Sequence, residues 1–122
     1  MSADKMPYVD GFVAAVPEKN KESFMAMARQ AAAVYRDHGA LQVVETWGDD
    51  VPEGKLTSFW RAVEAEEGEV VVFSWILWPS KEARNKGHEA AMNDPRIQMT
   101  DEEPPFDGKR MIFGGFQMVV EE

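Results

Sequence analysis

The chain has no cysteine among its 122 residues, which excludes disulfides, thiolate metal sites and a cysteine nucleophile. Histidine is nearly as scarce, with only His38 and His88. A protein metal site takes about three or four ligands supported by a further shell of hydrogen bonds. His88 and Glu89 are sequence neighbours that a helix points apart, and His38 sits where a helix C-terminus favours a cation. Neither histidine reads as a ligand, and no metal or cofactor is expected. Basic residues are few, 13 against 22 acidic ones, for a formal net charge of −9. Nucleic-acid affinity rests on neutralising phosphates with Lys and Arg, and the only adjacent basic pair is Lys109-Arg110, so nucleic acid is not an expected partner. No apolar run approaches the roughly 18 residues of a membrane span. Residues Met1 to Pro7 lack the basic and apolar regions of a secretory signal, so a cytoplasmic location without membrane attachment is expected.

Apolar residues make up 44% of the chain, and four Trp with seven Phe supply bulk for one core. A single domain over 1–122 is expected. The run Val70-Val-Val-Phe-Ser-Trp-Ile-Leu-Trp78 is apolar at both parities, with Ser74 its only polar member. Both faces of its sheet must therefore be covered. Tyr8 to Val16, ended by Pro17, reads as an earlier strand. A helix follows from about Asn20 to His38, where Phe24, Met27, Ala28, Ala31, Val34 and Tyr35 form one stripe and Gly39 marks the stop. Leu41 to Trp47 is the second strand. The stretch from Lys55 to Ala65 suits either a brief helix or an alternating strand, and an irregular or briefly helical connector is expected.

Ser80 caps a second helix that buries Ala83, Ala90 and Ala91, with Gly87 allowing close approach, and that ends at Asn93-Asp-Pro95. Thr100 to Pro105, with the acidic Asp101-Glu-Glu103, reads as a solvated loop. Asp107-Gly108 turns into the last strand, Arg110 to Val120, where Gly114-Gly115 indicates a bulge or a close backbone contact. The order of elements gives an α+β fold: a ferredoxin-like four-stranded antiparallel sheet with two helices on one face. The other face, made by Phe12, Val44, Val72 and Ile76 or their neighbours of opposite parity, is too apolar to be left wet. A homodimer packed sheet to sheet is the expected remedy.

Candidate chemistry is sparse. Ser74 lies inside a strand, without the strand-to-helix elbow of a nucleophilic serine. Asp10 and Glu45 each interrupt an apolar strand, where an unpaired buried carboxylate is costly. Each must reach a strand end, pair, or face a polar cavity. The antiparallel order keeps Asp10 away from Arg110, so a partner from the other subunit or from backbone amides is expected for it. Trp47, Trp75 and Trp78 suit a pocket wall, a core or a dimer interface.

At Tyr8-Val-Asp-Gly-Phe12, Val71-Val-Phe-Ser-Trp-Ile76, Pro79-Ser80, Asp94-Pro-Arg96, Pro105 to Ile112 and Gly114-Gly-Phe116, the chain resembles the YbaA-like family of small bacterial proteins, over about Pro7 to Glu121. The resemblance implies a dimeric α/β-barrel, in which two ferredoxin-like protomers pack sheet to sheet. It supplies no catalytic residue. Relatives in that superfamily that bind haem use a His ligand, and neither His lies in these motifs, so haem is not implied. The expectation is a homodimer binding a small apolar or aromatic molecule between sheet and helices, near Asp10, Glu45, Trp47, Ser74 and Trp75. Two alternatives are a cofactor-independent monooxygenase- or isomerase-like enzyme, and an interaction or stress protein without a pocket. The sequence does not decide whether a reaction is catalysed.

Overall fold

A computed structural model describes residues 6–98 and 104–122. The chain runs β1 (Tyr8–Pro17), α1 (Lys21–Asp37), β2 (Gln42–Glu45), α2 (Phe59–Ala62), β3 (Glu69–Trp78), α3 (Lys81–Met92), α4 (Pro95–Gln98) and β4 (Ile112–Gln117). The sheet has the order β2-β3-β1-β4, and every pairing is antiparallel. This is the strand order of the ferredoxin-like arrangement. The two long strands lie at its centre, where ten residues of β1 pair with ten of β3. The acidic Asp101-Glu-Glu103 stretch lies outside the described residues.

Helix α1 ends where Gly39 takes φ +110°, a backbone state that favours glycine, and the His38 and Ala40 amides bond back into the last turn. Helix α3 starts on the Ser80 hydroxyl, which accepts from the Ala83 amide at 3.1 Å. Gly87 faces Trp78 so closely that a Cβ there would run into the indole ring and the His38 carbonyl. Gly115 gives the corresponding space to Tyr8 and Arg84, so Gly114-Gly115 is a close contact within an unbroken register rather than a bulge.

Side-chain alternation sorts the sheet into two faces. Ala14, Val16 and Val72 pack with Phe24 of α1, while Ile76 and Trp78 pack with Tyr35 and Ala40, so the even positions of β1 and β3 lie under the helices. Phe12, Val72 and Ile76 therefore belong to the helical side, whereas Val44, paired with Trp75, belongs to the open side. On that open side, Val63 and Trp60 fold over Val13, Ala15 and Val71 and cover one end. The connector is thus a short helix that closes part of the second face. Its Ser58 cap accepts from the Arg61 amide at 3.1 Å, and the Trp60 indole donates to the Val51 carbonyl at 2.8 Å.

The rest of the open side is left partly exposed by the described residues. Val9, Phe73, Trp75, Ile112 and Phe116 line a concavity of about 600 Å³, and Phe116 is 62% exposed.

Candidate functional site

The helical side contains a groove between α1 and β2, with a smaller cavity beneath it. Short side chains make the room: Ala28 and Ala32 of α1 face Val43 and Glu45 of β2, where longer residues would fill the gap. The groove holds about 380 Å³ and is closed at one end by Trp47. Phe24 and Trp47 meet at 6.0 Å between ring centroids, and the Lys21 ammonium stands 5.2 Å above the Trp47 ring. Arg29 lines the same groove two turns further along α1. The cavity, of about 140 Å³, lies between α1 and the sheet and is lined in part by Phe12, Tyr35, Val72, Ser74 and Phe106. Asn20 helps close it by donating to the Pro105 carbonyl at 2.9 Å.

Glu45 is the residue common to groove and cavity that can ionise. Its outer side meets solvent, but the packed inner side removes water from the carboxyl and pushes its pKa above the ordinary glutamate range. A hydrogen bond with Ser74 pulls partly in the other direction. Thr46 beside it is held by the Phe73 carbonyl, to which both its amide and its hydroxyl donate. The site thus combines an apolar channel, a carboxyl that holds its proton more firmly than usual, a hydroxyl on that carboxyl, and two cations at the rim.

Asp10 stands elsewhere. It is 4% exposed on the helical side of β1 and is fully occupied by this chain itself. The Trp78 indole donates to it at 2.9 Å and Arg84 Nε at 3.0 Å, and His88 Nε2 lies 2.9 Å from its second oxygen. The expectation of a partner from another subunit or from backbone amides is corrected: α3 supplies it. Burial alone would raise the Asp10 pKa, but these three hydrogen bonds and the Arg84 charge hold it below the usual carboxylate range. Burial, with a smaller contribution from the Asp10 charge, raises the pKa of Tyr35, whose ring meets His88 edge-on.

His38 makes a matching contact at the C-terminal end of α1. It lies 2.8 Å from Asp94, which also accepts from Arg96, and Arg96 reaches Asp37. His88 therefore ties α3 to β1, and His38 ties the end of α1 to the turn between α3 and α4, each through an aspartate. Among the described residues, no group of three or more His, Asp or Glu is arranged to hold a metal ion.

Of the five residues expected to share a site, Glu45, Ser74 and Trp47 do line one connected space. Asp10 is enclosed in its own cluster, and Trp75 points to the opposite face of the sheet, where its indole donates to Gln42 at 3.3 Å. Lys21 and Arg29 were not anticipated, because charges on the solvent side of a helix stripe look alike until the groove is seen. Arg84 and His88 could have been found: they stand one helical turn apart and so share a helix face.

Comparison with known proteins gives the family without a function. A family model described as protein of unknown function (DUF1428) matches residues 7–108. The uncharacterized protein YbaA of Escherichia coli K12 is 53% identical over 117 residues, spanning 96% of this chain and all of the relative. The YbaA of Shigella flexneri shows the same identity and coverage. A crystal structure of a conserved protein of unknown function from Bacteroides thetaiotaomicron, titled a possible oxidoreductase, superposes with a TM-score of 0.51 at 16% identity, covering 94% of this chain and 99% of that one. That likeness is one of fold. With most of its length matched by the family model and its relatives aligned nearly end to end, the chain belongs to the DUF1428 family, together with YbaA.

Proposed function

We propose that this protein is a cytoplasmic homodimer that binds a small apolar or aromatic molecule between α1 and the sheet of each protomer. The observation that supports binding most is the junction at Glu45, where a groove of about 380 Å³ meets a cavity of about 140 Å³. The groove alone falls within the range of small-molecule sites, which run from about 300 to 1,000 Å³. Few but oriented polar groups in an apolar wall are what such sites use for recognition.

The dimer is supported by the bare end of the open face. Phe73, Ile112 and Phe116 are 43%, 44% and 62% exposed there, next to Trp75 and Val9. A contiguous apolar patch of this kind marks an interface, and a second sheet of the same shape covers it in the dimeric α/β-barrel arrangement.

A second reading, a cofactor-independent monooxygenase- or isomerase-like enzyme, is favoured by the placement of Glu45 between groove and cavity, where Ser74 orients its carboxyl and burial makes it a weaker acid than usual. The fold neighbour titled a possible oxidoreductase is compatible with it.

Native mass spectrometry of protein taken directly from cells tests the first reading. The expected spectrum shows twice the 13.8 kDa chain mass plus a retained small molecule. Ala32→Trp, which fills the groove, should remove the adduct and leave the dimer. Bare protein for both forms contradicts ligand binding. A Glu45→Gln variant that keeps the adduct but loses conversion of the identified molecule would favour the enzyme.

A further inference from the structure

We infer that the ligand of the α1–β2 groove is an anion, an apolar molecule ending in a carboxylate that pairs with Lys21 at the Trp47 end of the groove or with Arg29 further along α1. This rests on the reading of the groove as a binding site and adds the chemical class.

The argument starts from charge. The chain has a surplus of acid, 22 residues against 13 basic ones, so an unpaired cation is not for want of carboxylates. Arg84, Arg96 and Arg110 each bind one: Asp10, Asp94 and Glu69. Lys21 and Arg29, like several other surface cations, make no ion pair among the described residues, and what distinguishes them is that both line the groove. Lys21 is additionally positioned, with its ammonium over the face of Trp47 at the groove end. A cation held on an indole keeps outward-facing N–H donors for an anion.

Position agrees with charge. The two cations stand eight positions apart on α1, about 12 Å along the axis. Phe24, Met25 and Ala28 lie between them, so the middle of the groove is apolar and its two ends are positive. A neutral apolar molecule would leave both cations unused. A cationic one would meet them. Glu45, the acid in the groove, is turned to Ser74 at the mouth of the cavity rather than paired with either cation.

Calorimetric titration of the intact protein with 4-phenylbutyrate and its neutral amide at low salt tests this, alongside a Lys21→Met/Arg29→Met variant. The substituted residues are exposed, so the variant should fold normally, which its circular dichroism checks. The acid should bind about fivefold or more tightly than the amide, the size expected for charge-assisted bonds at a partly exposed site. The double variant should lose that preference, with acid and amide then binding equally. Equal binding of acid and amide by the wild type overturns the anionic class but leaves the groove as an apolar site. A preference that survives in the double variant overturns the assignment to these two cations. Binding of neither probe overturns the groove reading and this inference with it.

Discussion

Asp10 shows how a buried charge is kept. Isolated at 4% exposure, its carboxylate would be strongly destabilising, but Trp78, Arg84 and His88 bring three hydrogen-bonding groups to two oxygens. Removing it should leave a buried indole N–H and a half-buried guanidinium without their acceptor. Asp10→Ala should lower stability by about 2–3 kcal/mol in urea unfolding, because unpaired buried donors cost more than the bond itself contributed. The pH dependence follows from the sign of its shift. A carboxyl with a lowered folded pKa adds stability above its ordinary value of 3.8, and loses it as pH falls through the lower folded value. The thermal midpoint of the wild type should therefore drop below about pH 4 more steeply than that of Asp10→Asn. Glu45 has the opposite sign. Its folded pKa is raised, so the protein binds its proton more tightly than the unfolded chain does, and ionisation destabilises the fold as pH rises past 4.5. Glu45→Gln should raise the thermal midpoint at pH 7 and change it less at pH 4. An acid that costs stability where it stands is a mark of a site rather than of a scaffold.

At the scale of elements, α3 is held by features readable from its sequence. Ser80→Ala should cost about 1 kcal/mol by removing the acceptor for the Ala83 amide. Gly87→Ala sets two effects against each other. Alanine favours the helix by about 1 kcal/mol, but its methyl would overlap the Trp78 ring and the His38 carbonyl, and overpacking a tight core costs about 1–3 kcal/mol. Backbone cannot yield as a side-chain tip can, so the clash should win and the variant should unfold at lower urea. Most elements were legible in this way. Helical periodicity with Gly39 gave α1 to within a residue at each end, and Pro17 and Pro79 framed β1 and β3. The edge strands were read too long, because apolar residues continue from 41 to 47 and from 110 to 120 while regular pairing covers only Gln42–Glu45 and Ile112–Gln117. Edge residues keep their apolar pattern after the ladder ends. Which parity of β1 and β3 faces the helices was not legible, since a strand apolar on both sides offers no contrast. That gap decided the site: Trp75 fell on the open face, and Glu45 and Ser74 on the helical one.

At the scale of the molecule, the sheet is finished on one side only. Helices α1 and α3 cover the first face, α2 covers one end of the second, and the described residues leave the strip from Val9 to Phe116 partly exposed. Stable interfaces take about 800 Å² from each partner, and a four-stranded sheet with this much exposed aromatic surface is well suited to supply it. Phe116→Glu places a charge in that strip, where it would be desolvated without a partner, and should produce a folded monomer. The groove at Glu45 lies on the other side of the sheet, so this substitution leaves the proposed binding site untouched. Sedimentation velocity of the intact wild-type chain at micromolar concentration tests the account most directly. The expected result is one species at twice the 13.8 kDa chain mass, converted to a single chain by Phe116→Glu. A well-folded wild-type protein sedimenting at 13.8 kDa would contradict it.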